Sequence, residues 1–409
     1  MEAERILQQD TLWKRNIRLI TLIRVCFSFM FAIPVITLYW QNHGLTIFDI
    51  FLLQAIFSFS VVIFEIPTGY IGDLLGRKKT IIFAAGIKII GWIVYANAPF
   101  FWGFVAAEII LGLSMAFLSG TDSSLVYESL KPLQRETDYT KIEGRIRSIY
   151  FIGAAVSSVI GGILAEAVSI WVLLLGSALI MCISFIASFF ITEPERNVYS
   201  HPKGTLYGFY KIFRYVFLRS KIVRAAVPLF AVCSLATMLG IWLYQPLWTE
   251  REVPLWLFGI LWALLFVPSS FGSQLSHHVE KLVGKKLVIW LFPVFPVAGY
   301  ILAGFLPGYW AVFPIYLVNI LFGIAPPIIT RYIHEETYSD KRATVLSIAS
   351  FLFRISYTVI GPIVGFIALH GGLSLAFFAI AGTVLSLMLM VVPFFQSKLN
   401  AWEQGRSEN

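Results

Sequence analysis

The stretch Gly69-Tyr70-Ile71-Gly72-Asp73-Leu74-Leu75-Gly76-Arg77-Lys78-Lys79 reads as a sharp basic turn between two long apolar runs. Gly69, Gly72 and Gly76 suit a tight reversal of the chain. Arg77, Lys78 and Lys79 put positive charge beside the runs, and Asp73 is placed to accept from helix N-terminal donors or to pair with a cation. The flanking runs, 47–71 and 80–97, are close to the about 20 helical residues needed to cross about 30 Å of hydrocarbon. The stretch is therefore expected to join two membrane-crossing helices, and the chain repeats this pattern.

The composition agrees. Of 409 residues, 58% are hydrophobic and 13% charged, against about 25% charged in a soluble domain, and the mean hydropathy is +0.79. A water-soluble fold is excluded, and the count that matters is that of spans. Twelve apolar stretches qualify: 18–40, 47–71, 80–97, 100–126, 145–167 and 170–191, then 225–247, 255–279, 286–305, 309–332, 343–368 and 373–395. These are spans 1 to 12 below, an all-α membrane protein with lipids as its surroundings.

The net charge of +8 comes from 31 Lys and Arg against 23 Asp and Glu. The cations fall in short clusters between spans, which argues for loops retained on the cytoplasmic side and against a nucleic-acid partner. Only Arg251 lies in the opposite set of loops, and Arg24, Lys88 and Arg354 lie within spans. Both termini are accordingly expected to be cytoplasmic, in the cell (inner) membrane, with span 1 retained because no cleavage site follows a short apolar region. Cys26, Cys182 and Cys233 sit inside apolar runs, so neither a disulfide framework nor a Cys-based metal site is expected.

A shift of 204 residues sets Trp40-Gln41 at the end of span 1 on Tyr244-Gln245 at the end of span 7, and Gly161 in span 5 on Gly365 in span 11. A shift of 208 sets Gly76-Arg77-Lys78 on Gly284-Lys285-Lys286. Two homologous six-helix bundles follow, residues 1–195 and 224–409, with a cleft between them. They are joined by an amphipathic linker over 196–223, whose residues 203–217 have the helical spacing of an interfacial helix.

The motif GxxxDxxGRKK, preceded by Phe64-Glu65-Ile66-Pro67-Thr68, resembles motif A of the major facilitator superfamily. The resemblance extends over the whole chain and implies two pseudo-symmetric six-helix bundles, with Gly69, Asp73, Gly76, Arg77 and Asp122 forming a gating motif. Gly153 to Gly162 in span 5 are similar to motif C of the antiporter branch, with Ser157-Ser158 in place of its Gly-Pro pair. Ser119-Gly120-Thr121-Asp122-Ser123-Ser124 at the end of span 4 is similar to a segment of drug-efflux-like members.

An ionised side chain within a span costs about 2.5 to 3.5 kcal/mol on insertion scales, so each needs a partner, water or a function. Lys88 and Glu108 lie ten residues either side of Ala98 at the external turn. One reading is a structural ion pair; in the other, Glu108 is a proton site. Arg24 and Glu65 differ in depth by about one helical turn. They are expected either to pair, or Arg24 holds an anionic substrate or tunes Glu65 during proton transfer. Asp122 lies level with the motif A loop, where a pair with Arg77 would latch that side shut, while Asp73 caps a helix of the other half. Arg354 is near mid-membrane and is expected to face a cleft. Tyr244, Gln245 and Asn319 are further substrate-facing candidates.

No GxxxxGK(S/T), HExxH or GxSxG pattern occurs, so neither direct ATP drive nor hydrolytic catalysis is indicated. His277-His278 with Glu280, and His334 with Glu335, are read as solvated groups at span ends, not as metal ligands. No cofactor and no enzyme activity is expected. The leading reading is a monomeric secondary active transporter of a small molecule, working by alternating access as a proton-coupled antiporter exporting amphiphilic compounds. The alternative is transport of an organic anion or metabolite bound by Arg24 and Arg354.

Overall fold

A computed structural model describes residues 2–194, 214, 220–337 and 342–407. The described residues are helical, without a strand. Ten helical stretches are each apolar and long enough to cross a membrane once. The eleventh, Val345–Gln404, is two helices joined across Gly372, whose φ of 78° and ψ of 173° no helix contains. That makes the twelve expected spans, several of them longer than the apolar stretch alone. The interfacial helix expected over 203–217 lies, but for Arg214, outside the described residues.

Four spans are interrupted in ways the sequence explains. Span 1 runs as Glu2–Ser28, a 3-10 turn Ile33–Val35 and a helix Ile36–Asn42, with Pro34 supplying no amide donor. Span 4 breaks between Phe101–Leu118 and Thr121–Leu130 at Gly120, which adopts a left-handed φ of 74°. Span 7 is divided into Lys221–Met238 and Ile241–Glu250, and span 9 into Lys285–Trp290 and Val294–Phe305 before Pro296. At the two basic turns, Gly76 (φ 102°) and Gly284 (φ 89°) each precede the first residue of the next helix. An L side chain rarely adopts either conformation.

The described residues fall into two compact units, one from Met1–Tyr39, Phe59–Leu206 and Leu255–Ala263, the other from Trp40–Ser58, Tyr207–Pro254 and Leu264–Asn409. In the first, Ile20, Ile23, Ala84, Phe104, Leu125 and Leu174 are buried without exposed surface to speak of. In the second, Trp248, Tyr244, Tyr300, Tyr332 and Phe377 are the large buried side chains. Large apolar residues such as Trp102, Leu179, Phe305 and Met390 remain exposed, as suits helices whose outer faces meet lipid.

Small residues bring backbones together within each unit. A Cβ on Gly161 would collide with the Phe31 carbonyl at the break in span 1, and one on Gly162 would lie 2.5 Å from Gly259 of span 8. Gly365, the repeat partner of Gly161, holds the same role in the second unit, where a Cβ would stand 2.8 Å from the Phe51 side chain.

Candidate functional site

The basic end of the first unit holds a buried cluster built from three spans. Arg24, one turn before the end of the helix Glu2–Ser28, is 7% exposed. Its Nε lies 2.7 Å from Asp122 Oδ2, and its Nη1 donates to Glu143 Oε1 at 2.7 Å. Its Nη2 donates to Ser123 Oγ at 2.9 Å, and that hydroxyl in turn donates to Glu143 Oε1 at 3.2 Å. The Ser123 amide donates to Asp122 Oδ1 at 2.7 Å. The break at Gly120 gives span 4 a fresh helix start, which turns Asp122 and Ser123 toward span 1. Glu143 comes from span 5, whose helix runs Tyr139–Ala167 and so begins before its apolar stretch.

This arrangement corrects two expectations. Arg24 does not pair with Glu65, which instead accepts from Ser119 Oγ at 3.4 Å at the break in span 4. Asp122 does not pair with Arg77. Counting residues from a turn fixes depth but not direction around the helix, and the break at Gly120 changes that direction. The guanidinium of Arg24 is flanked by two carboxylates, giving the cluster a formal charge of −1, so it is a poor anchor for an anionic substrate.

Arg77 is held elsewhere. Its Nη1 lies 3.3 Å from Asp73 Oδ1, and its Nη2 lies 3.2 Å from Glu128 Oε1, further along the same helix than Asp122. The Glu193 carboxylate accepts the backbone amides of Arg77 and Lys78 at 2.9 and 2.8 Å. It thereby satisfies donors that the start of span 3 leaves open, at the end of the helix that favours negative charge. Asp73 thus meets a cation of its own turn. Asn16 positions Glu193 by exchanging hydrogen bonds with the Thr192 backbone at 2.8 and 2.9 Å. Gly69 supplies a position where a side chain would meet nothing, and Gly76 supplies the positive φ described above.

The expected Lys88–Glu108 ion pair is not formed. Phe31 N donates to Ser177 Oγ at 3.1 Å, not back along its own helix, which leaves the Phe27 carbonyl at the break in span 1 open. Lys88 Nζ donates to that carbonyl at 3.0 Å and sits 4.3 Å from the centroid of the Phe27 ring. Glu108, 5% exposed, accepts from the Tyr95 hydroxyl at 2.8 Å.

In the second unit Tyr244 and Gln245 are buried and Trp242 packs on Trp40 with ring centroids 5.5 Å apart. Asn319 donates to the Ile315 carbonyl of its own helix at 3.2 Å. Arg354 is half-buried, its guanidinium 5.9 Å from the Phe353 ring. Glu280, expected to be solvated, is 6% exposed. It accepts from both Nη atoms of Arg331 on span 10, at 2.7 and 2.5 Å, in a bidentate pair.

Sequence reading missed Glu143, Glu128, Glu193 and the Glu280–Arg331 pair. A signal for Glu143 existed. It stands at helical spacing from Ile146, Gly153 and Ser157, all buried, but lies among Lys141, Arg145 and Arg147 and so reads as loop. Nearby, Tyr139 packs edge-on against Tyr127 with centroids 5.5 Å apart. Burial and the Glu143 charge push its phenol above the usual range.

Residues 19–360 match the sequence model of the Major Facilitator Superfamily, and the chain belongs to that family. Its similarity to an uncharacterized transporter of Buchnera aphidicola, BU466, is 28% identity over 48% of this chain and 49% of that one. The matched stretches span about half or less of this and the next relatives' own length. The quinolone resistance protein NorA of Staphylococcus aureus is 22% identical over 74% of this chain and 76% of its own. Among solved structures, the nucleoside transporter NupG superposes with a TM-score of 0.72 at 15% identity, covering 94% of this chain and 99% of that one. The human organic anion transporter MFSD10 superposes at 0.64 with 14% identity, over 94% of this chain and 99% of its own. At such identities they speak for the fold. The described helices make it a multi-pass membrane protein of that family.

Proposed function

We propose that the protein is a secondary active transporter that exports amphiphilic compounds in exchange for protons, by alternating access. The observation that carries this reading is the Arg24 guanidinium shared between Asp122 and Glu143. A single cation between two half-buried carboxylates leaves one negative charge in excess. One proton can be taken up there without stranding the arginine, and released again without leaving it unpaired. A one-to-one ion pair has no such reserve. The similarity to a quinolone resistance protein over three quarters of the chain supports export of drug-like amphiphiles. The seat of the protein is the cell membrane with both termini cytoplasmic, so the Arg77 turn and its ties to Asp73 and Glu128 form a cytoplasmic gate.

Thermal unfolding of the purified protein with a panel of amphiphilic cations, quinolones and organic anions, at acidic and at alkaline pH, tests the reading. Proton and substrate compete in an antiporter, so amphiphiles should raise Tm more at alkaline pH. Stabilisation by organic anions alone, equal at both pH values, would reject it.

A further inference from the structure

We propose that the exchanged proton resides on Oε2 of Glu143, while Asp122 stays ionised throughout as the fixed counter-charge of Arg24. This rests on the proton-coupled reading above and assigns its atom.

The two carboxylates that flank Arg24 differ in how their oxygens are used. Asp122 has a contact at each oxygen, with Oδ2 2.7 Å from Arg24 Nε in an ion pair and Oδ1 accepting the Ser123 amide at 2.7 Å. Glu143 crowds its contacts onto one oxygen. Oε1 accepts from Arg24 Nη1 at 2.7 Å and from the Ser123 hydroxyl at 3.2 Å. Oε2 is buried and has no hydrogen-bond partner among the described residues. A bare carboxylate oxygen without a donor is the costly member of the cluster. A proton from water added to Oε2 forms an O–H bond there and takes the cluster from −1 to neutral, leaving Arg24 and Asp122 as a balanced pair. A proton added to Asp122 would instead break its bond to Arg24 and leave Oε2 as exposed to the penalty as before.

Several groups face Glu143. From span 1 comes Arg24, and from span 4 come Asp122 and Ser123. Tyr139 lies one turn earlier on the same helix as Glu143. Protonation weakens the Glu143 hold on Arg24 and leaves the Asp122 hold intact. Span 5 is thereby released from span 1 while span 4 stays tied to it, which gives the proton a direction in which to act on the fold.

The test is infrared difference spectroscopy of the full-length protein in lipid nanodiscs during an acid titration, with carboxyl-13C glutamate or aspartate incorporated in separate preparations. A carboxylic acid C=O band from a buried group should move with the glutamate label, stay in place with the aspartate label and vanish in Glu143→Gln. In Asp122→Asn, Glu143 becomes the sole counter-ion of Arg24, and the band should appear only at lower pH. Should Glu143→Gln fail to insert, Glu143→Asp should transfer the band to the aspartate-labelled set. A buried band that follows the aspartate label, or survives in Glu143→Gln, overturns the assignment and leaves proton coupling standing. The lack of any buried carboxylic acid band at every pH overturns both.

Discussion

The turn after span 2 and the turn after span 8 share a backbone but not a charge pattern. Gly76 and Gly284 take nearly the same positive φ, at 102° and 89°, and each is followed at once by a basic helix start. In the first unit a cation on that turn, Arg77, reaches an acid on span 4, Glu128. In the second, the acid is on span 8 and the cation on span 10, as Glu280 and Arg331. The chain beyond each sixth span also returns to the turn, with Glu193 accepting the Arg77 and Lys78 amides and Glu403 lying 3.1 Å from Lys285 Nζ. What the repeat keeps is the geometry of the turn and an ion pair from the corner between the second and third spans to the fourth. The sign of that tie is free to invert.

The contrast is sharper at the buried cluster. Under the 204-residue shift, Arg24, Asp122 and Glu143 fall on Pro228, Pro326 and Ser347. The second unit has the helices but not the chemistry, so the proposed proton coupling by this cluster belongs to the first unit alone.

The strongest way to break the comparison is at Arg24. Arg24→Gln leaves two half-buried carboxylates without their cation and should cost about 3 kcal/mol, read as loss of Tm in detergent or nanodiscs. Combining it with Glu143→Gln should return part of that loss, and no recovery would show that the two do not share the cation. Next comes the tie between span 8 and span 10. Glu280→Gln should cost about 2 kcal/mol, less than at Arg24 because the Arg331 side chain remains 35% exposed and keeps some water. If the sign of the tie is free, the swap Glu280→Arg with Arg331→Glu should recover most of the loss. The swap Arg77→Glu with Glu128→Arg should do likewise in the first unit, and a swap of Arg77 with Asp122 should not.

Smaller and equal effects are expected at the two turns. Gly76→Ala and Gly284→Ala each force a side chain into a conformation worth about 1–2 kcal/mol of strain, and a loss at one turn only would deny their equivalence. Smallest is Lys88→Met, at about 1 kcal/mol. It leaves the Phe27 carbonyl without its donor, but also removes the cost of keeping an ammonium away from water. Lys88→Arg should retain the contact, and amide exchange at Phe29 to Phe31 should rise only in the methionine variant.

Much of the fold was legible because its determinants are local. Apolar length located the spans, Gly76 and Gly284 located matching turns, and the small residues of span 5 foretold the close approach at Gly161 and Gly162. The site was legible by level only. Arg24 and Asp122 were recognised as charges needing partners, yet the partner weighed for each is not the one the fold supplies, because sequence distance from a turn says nothing about which face of a helix a residue occupies. The break at Gly120 and the open carbonyl at Phe27 then redirected Asp122 and Lys88. Glu143 was hidden by its basic neighbours, and Glu280 by the two histidines before it, since burial of an acid depends on a partner some fifty residues or more away in the chain.

The most direct test of proton coupling in the first unit uses everted membrane vesicles and the amphiphile that most raises Tm. With an inside-acid gradient imposed, the account predicts accumulation of that compound in wild-type vesicles, its collapse when nigericin dissipates the gradient, and its loss in Glu143→Gln. Accumulation that persists without the gradient, or in the variant, would contradict it.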